Sequence, residues 1–104
     1  MSQWIDVIKR SALAPTEHVL VDVDGVQVAV FNVNGEIYAI EDVCTHDGAE
    51  MASGQLDGDQ LICPRHGARF CVKTGKAMTP PAYEPVECFS VRVEAEMIQV
   101  CSEW

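Results

Sequence analysis

The stretch His18-Val19-Leu20-Val21-Asp22-Val23, Asp24-Gly25, Val26-Gln27-Val28-Ala29-Val30-Phe31, followed by Asn34-Gly35 and Glu36-Ile37-Tyr38-Ala39-Ile40, reads as three strands joined by two tight turns. Asp-Gly and Asn-Gly are the dipeptides that two-residue hairpin turns favour, because both central residues need positive φ. The flanking residues are β-branched or aromatic and alternate with a period of two. Further strands are expected at Trp4–Ile8, Gln60–Cys63, Arg69–Lys73, Cys88–Glu94 and Met97–Cys101. Their dividers are Leu56-Asp57-Gly58-Asp59, Lys73-Thr74-Gly75-Lys76 and the proline stretch Thr79-Pro80-Pro81-Ala82-Tyr83-Glu84-Pro85. Residues 9–17 have room for at most one helical turn, near Pro15. The expected fold class is all-β, a small antiparallel domain.

A chain of 104 residues is expected to form a single domain, 1-104. Sixteen acidic residues against seven basic ones give a net charge of −9. Such a surface repels phosphate, so neither nucleic acid nor an anionic membrane is an expected partner. No apolar run approaches the roughly 20 residues that span a bilayer. Met1-Ser2-Gln3-Trp4-Ile5-Asp6 has neither a basic nor an apolar leader region, so the expected location is the cytoplasm. No Ser/His/Asp set, phosphate loop or acid–base carboxylate pair stands out.

The segment from Asp42 to Phe70 breaks the strand rhythm and holds two Cys/His pairs. These are Cys44-Thr45-His46 and, after 16 intervening residues, Cys63-Pro64-Arg65-His66. Loops rising from strand ends are where a β scaffold carries functional residues. Two thiolates and two imidazoles, one of each per loop, make a four-ligand metal set. A tetrahedral Cys₂His₂ zinc site is one reading, although common zinc modules place two Cys together and then two His. A [2Fe–2S] cluster with two Cys on one iron and two His on the other is another. Replacing two thiolates by neutral imidazoles removes negative charge and eases reduction. The remaining thiols, Cys71, Cys88 and Cys101, lie in strand-like segments and are expected to act as buried or half-buried small hydrophobes. Five cysteines, an odd number without sign of export, make a disulfide framework unexpected.

The full run Cys63-Pro64-Arg65-His66-Gly67-Ala68-Arg69-Phe70, with Cys44-Thr45-His46 before it, resembles the Rieske iron–sulfur motif. Four ligands, two glycines and the Cys-Pro step match, and the resemblance runs from Trp4 to the terminal hairpin. The pattern is similar to the Rieske-type [2Fe-2S] ferredoxins of bacterial aromatic-ring-hydroxylating dioxygenase systems. The resemblance implies an antiparallel β-sandwich with a small two-loop cluster-binding subdomain at about residues 43-70. It also implies one Rieske cluster held by Cys44, His46, Cys63 and His66, with the Pro80–Pro81 loop covering one side.

Respiratory relatives bridge the two loops with an extra disulfide. Here the matching positions are Ala49 and Arg65. Those relatives also place Ser and Tyr hydroxyls after the second His, where this chain has Ala68 and Phe70. Without such donors the reduced state is less stabilised, so a low potential is expected. A mononuclear oxygenase iron would need two further His, and only His18 remains. The implied role is a monomeric one-electron carrier in aromatic hydrocarbon catabolism, not an enzyme. Its partners would be an NAD(P)H-dependent flavoprotein ferredoxin reductase and a terminal oxygenase. A zinc-stabilised interaction module is the alternative. Arg65, Arg69, Lys73 and Lys76 near the second loop, with Glu41, Asp42, Asp47 and Glu50 around the first, suggest a two-signed docking face.

Overall fold

A computed structural model describes residues 4–43, 50, 54–64, 67–79 and 84–101. Among the described residues the strands are β1 (Trp4–Lys9), β2 (His18–Val23), β3 (Val26–Val33), β4 (Glu36–Glu41), β5 (Leu56–Asp57), β6 (Gln60–Ile62), β7 (Arg69–Cys71), β8 (Cys88–Phe89), β9 (Val91–Glu94) and β10 (Met97–Cys101). They form three antiparallel sheets, ordered β2-β3-β4-β8, β1-β10-β9 and β5-β6-β7. The fold is all-β, as expected.

The two turns of the central sheet form for the reason given by their residues. Asp24 and Gly25 have φ of 52° and 86°, and Asn34 and Gly35 have 54° and 93°. In each, the residue two positions before the pair closes the loop with its side chain. Gly25 N–H donates to Asp22 Oδ1 (2.8 Å) and Gly35 N–H to Asn32 Oδ1 (2.7 Å). The resulting registers pair Val23 with Val26 and Val33 with Glu36.

Strand β3 is buried on both faces, which explains its nearly unbroken apolar run. Ala29, Phe31 and Val33 enter one core cluster, together with Ile40, Leu61, Cys63, Ala68, Phe70, Val72 and Val86. Val28 and Val30 enter a second, with Leu13, Val23, Ala39, Phe89, Ile98 and Val100. The central sheet therefore packs against β1-β10-β9 through one face and against β5-β6-β7 through the other.

Asn32 is the exception within β3, a polar side chain only 5% exposed. Its Nδ2 donates to Leu13 O (2.8 Å), so both ends of the amide are satisfied and the 13–17 loop is tied to the sheet. The expected helical turn is a 3₁₀ turn at Arg10–Ala12, upstream of Pro15. Three strand readings also change. Leu56–Asp57, placed among the dividers, is a two-residue strand paired with β6. The run 88–94 breaks at Ser90, so that β8 joins β4 while β9 joins β10. β7 ends at Cys71, because Gly75 N–H turns back to Cys71 O (2.7 Å).

The β9–β10 turn puts Ala95 and Glu96 at φ of 50° and 68°, without a glycine. Left-handed backbone costs an L-residue roughly 1–2 kcal/mol, and Asn-Gly relieves most of that. The double variant Ala95→Asn, Glu96→Gly is expected to stabilise the fold by about 1 kcal/mol, less the added chain entropy of glycine. Chemical denaturation would show this as a higher midpoint at unchanged slope. The Glu96 carbonyl, which accepts from Arg10 N–H (2.8 Å), is kept in the variant.

Candidate metal centre

The second Cys/His loop is the end of the β6–β7 hairpin. Register pairs Ile62 with Arg69 and Leu61 with Phe70. Beyond the last pair, Cys63 N–H donates to Ala68 O (2.7 Å) and Gly67 N–H donates to Cys63 O (3.0 Å). Gly67 has φ of 76°, a left-handed conformation that lets the chain reverse there. Cys63 is thus fixed by backbone bonds on both sides, and it is only 1% exposed. Its thiol is free, as are those of Cys71, Cys88 and Cys101.

The first loop leaves the end of β4. Val43 N–H donates to Glu41 O (2.9 Å), and the Val43 side chain packs on the core cluster that contains Cys63 and Ala68. Since Cys44 follows Val43 directly, the roots of both ligand loops meet over one apolar base. Cys44, His46 and His66 lie outside the described residues. Among the described residues, no group of three or more His, Cys, Asp and Glu is placed to hold a metal.

Several other sequence readings can be placed. His18 sits in β2 with its ring 5.8 Å from that of Phe31, which gives it a packing role. Cys71 and Cys88 are half-buried and Cys101 is buried, each in a strand as expected. Pro80 and Pro81 lie outside the described residues, but the start of their stretch is anchored. Arg69 N–H donates to Thr79 Oγ1 (3.0 Å) and Met78 N–H donates to Arg69 O (2.7 Å). The proline stretch therefore departs from beside the ligand hairpin. Nothing in the sequence marks Thr79 for this, since a Thr before two prolines reads as an ordinary turn residue.

The charged ring needs correction. Asp42 is 7% exposed and accepts a bond from Gln27 Nε2 (2.7 Å), so it belongs to the fold and not to a docking face. Arg69 Nη1 is held by Asp57 Oδ2 (2.9 Å) and contacts Gln60 Oε1 (3.4 Å). Lys73 Nζ lies 5.7 Å from the centre of the Tyr38 ring. Tyr38 in turn donates to Glu36, and that bond, with burial and nearby negative charge, holds its hydroxyl above the ordinary tyrosine value. Lys76 is exposed, and Arg65 lies outside the described residues.

A buried free thiol thus lies at a hairpin tip, over an apolar base shared with the root of the first loop. The Rieske [2Fe-2S] domain model matches residues 3–90. This chain belongs to the Rieske [2Fe-2S] domain family. Its cofactor is one Rieske [2Fe–2S] cluster. The naphthalene 1,2-dioxygenase system ferredoxin component of Pseudomonas aeruginosa is 34% identical over 98 residues, covering 94% of each chain. The biphenyl dioxygenase ferredoxin subunit of Pseudomonas sp. (strain KKS102) is 41% identical over 87 residues, 83% of this chain and 80% of that protein. A ferredoxin solved in the complex of reduced oxygenase and oxidised ferredoxin of carbazole 1,9a-dioxygenase matches with a TM-score of 0.91 and 37% identity. The match covers 96% of this chain and 94% of that one. These Rieske relatives are named as ferredoxins, electron-transfer subunits and not catalytic enzymes. No helix among the described residues is long and apolar enough to cross a membrane.

Proposed function

We propose that this Rieske protein is a low-potential one-electron carrier, taking electrons from an NAD(P)H-dependent flavoprotein reductase and giving them to a terminal ring-hydroxylating oxygenase. The observation that carries the reading is the buried Cys63 thiol, held at the hairpin tip over a base it shares with the root of the other ligand loop. In this reading Cys44 and Cys63 hold one iron, and His46 and His66 the other. Residues 43–70 act as a cluster-binding subdomain within one domain spanning 1–104. The chain works as a monomer in the cytoplasm. When bound, the cluster supplies a site that accepts a single electron at modest charge, neutral when oxidised and singly negative when reduced.

The chain's own residues do the rest. The backbone bonds around Cys63 fix its thiol in place before any electron arrives, which limits reorganisation. The apolar base of Leu61, Ala68, Phe70 and Ile40 excludes water from beneath the loops. Arg65, next to His66 in the sequence, brings positive charge to the second loop for brief, salt-sensitive encounters with partners, whereas Lys73 and Lys76 follow the far end of β7, by the β5–β6 turn. Kinship with Rieske proteins does not favour a zinc-stabilised module.

Exchange into a working system tests the proposal. Holoprotein is added in place of the ferredoxin component of a naphthalene 1,2-dioxygenase system, and NADH-dependent substrate oxidation is followed. Turnover that requires this chain is expected. Turnover equally fast without it, or reductase that leaves the holoprotein oxidised, would overturn the carrier role.

The absence of hydroxyl donors at 68 and 70 makes a further prediction. The midpoint potential is expected near the low end of the Rieske range, roughly −150 mV. Ala68→Ser adds one donor next to the Cys63 turn. If about 1 kcal/mol of its bond favours the reduced state, the potential rises by on the order of 40 mV, since about 59 mV is tenfold for one electron. Ala68 and Phe70 are both fully buried in the core cluster, so in Ala68→Ser and in Phe70→Tyr alike the added oxygen must find room among packed atoms. Redox titration of wild type and Ala68→Ser decides the point, and an unshifted variant with a normal cluster would contradict it.

A further inference from the structure

The segment after Gly75 runs back along β7 toward the ligand hairpin. Cys71 N–H donates to Lys76 O (2.9 Å), Phe70 bridges Ala77, and Met78 N–H donates to Arg69 O (2.7 Å). Residues 76–79 thus add one more antiparallel run to the β5-β6-β7 sheet. In a regular ladder the Arg69 N–H would answer the last of these bonds by donating to Met78 O, since such a pair exchanges both. It donates instead to Thr79 Oγ1 (3.0 Å). A side-chain hydroxyl takes the place of a backbone carbonyl.

The residues around this bond give it weight. Arg69 opens β7, three positions after His66, and pairs with Ile62, the residue before Cys63. Both of its backbone groups are taken up by Met78 and Thr79. Thr79 precedes Pro80 and Pro81, which have no N–H, so the chain supplies no backbone donor at the next two positions. The Arg69 side chain is tethered separately, to Asp57 (2.9 Å). Loss of the Thr79 bond would therefore free the backbone without releasing the guanidinium.

We propose that Thr79 is a positioning residue for the cluster. Its hydroxyl locks the Arg69 end of the ligand hairpin, and with it the loop that carries Cys63 and His66, onto the 76–79 run. Thr79 acts through Arg69 and is not itself a ligand. The inference rests on the assignment of Cys63 and His66 to the cluster.

The test compares holoprotein of wild type, Thr79→Val, Thr79→Ser and Thr74→Val. Valine has the shape of threonine without the acceptor, while serine keeps the hydroxyl. Thr74 is the control, because its Oγ1 accepts from Lys76 N–H (3.3 Å) at the other end of the same run, away from the ligand loop. Iron release from the reduced protein to ferrozine is timed, and amide exchange of the 67–73 segment is followed by mass spectrometry. Thr79→Val is expected to load a full cluster but to release iron and exchange the Arg69 amide roughly fivefold faster, the equivalent of one net hydrogen bond. Thr79→Ser and Thr74→Val should stay within about twofold of wild type. Should Thr79→Val fail to fold, Thr79→Ala carries the same expectation. A full wild-type cluster with Thr79→Val unchanged would overturn the role of Thr79 alone. So would a Thr79→Ser protein as labile as Thr79→Val, or a Thr74→Val protein that loses iron equally fast. Wild-type protein that binds no cluster would overturn the ligand assignment and this role with it.

Discussion

Replacing Cys63 with Ser is expected to abolish the visible absorption of the Rieske protein and to lower its thermal stability sharply. The thiol is 1% exposed and belongs to the same packed base as Leu61, Ala68 and Phe70, so the proposed ligand is also part of the core. A serine hydroxyl is a poor soft ligand and would sit buried in a site built for sulfur. Metal binding and folding are coupled, so loss of the cluster also removes its contribution to stability. Cys44→Ser should do the same. Cys71→Ser, Cys88→Ser and Cys101→Ser should retain the spectrum, since those residues pack in β7, β8 and β10. Iron analysis and absorption spectra of the five single variants check this. Loss of cluster in a folded variant of any of the last three would contradict the ligand assignment.

Gly75→Ala is expected to be the most costly single-methyl change among the glycines described. The residue has φ of 78°, which costs an alanine roughly 1–2 kcal/mol. Its Cβ would lie 2.2 Å from Val86 O, a backbone atom that cannot rotate away. Relief requires moving the 75–86 contact and weakening the Val86 N–H to Gly75 O bond, worth roughly 0.5–1.5 kcal/mol more. The total is about 3 kcal/mol. For a domain of this size that is a fall in the thermal midpoint of roughly 10–20 °C. Gly58→Ala is the control, with φ of 61° but nothing within 4 Å of its Cβ, and should lose only the conformational part. Equal losses in the two holoprotein variants would show that the 75–86 contact yields freely.

The central hairpins were legible because their information is local. Asp22-Val23-Asp24-Gly25 and Asn32-Val33-Asn34-Gly35 carry both the turn conformation and the side chain that closes it. What depends on distant contacts was not. Ser90 does not look like a break between strands. Yet its carbonyl accepts from Cys101 N–H (2.9 Å) at the point where the chain crosses between sheets. Leu56–Asp57 is too short to show a period, and becomes a strand only by pairing with β6. Gly75 read as one of several turn glycines, because its close approach to Val86 and Cys88 arises in tertiary packing.

The site divides in the same way. The Cys/His spacing is a local signal; of its four residues the structure describes Cys63, which lies at a hairpin tip. Charge was the weaker guide. Asp42 and Arg69 looked like members of a docking ring, but each is engaged by a residue remote in sequence, Gln27 and Asp57. Counting charges near a motif cannot separate those that meet a partner from those already paired within the fold.

Coulometric reduction of the anaerobic holoprotein tests the central claim most directly. A chain holding about two irons and two labile sulfides is expected to take up one electron and bleach in a single reversible step. A colourless protein with stoichiometric zinc and no electron uptake would contradict it.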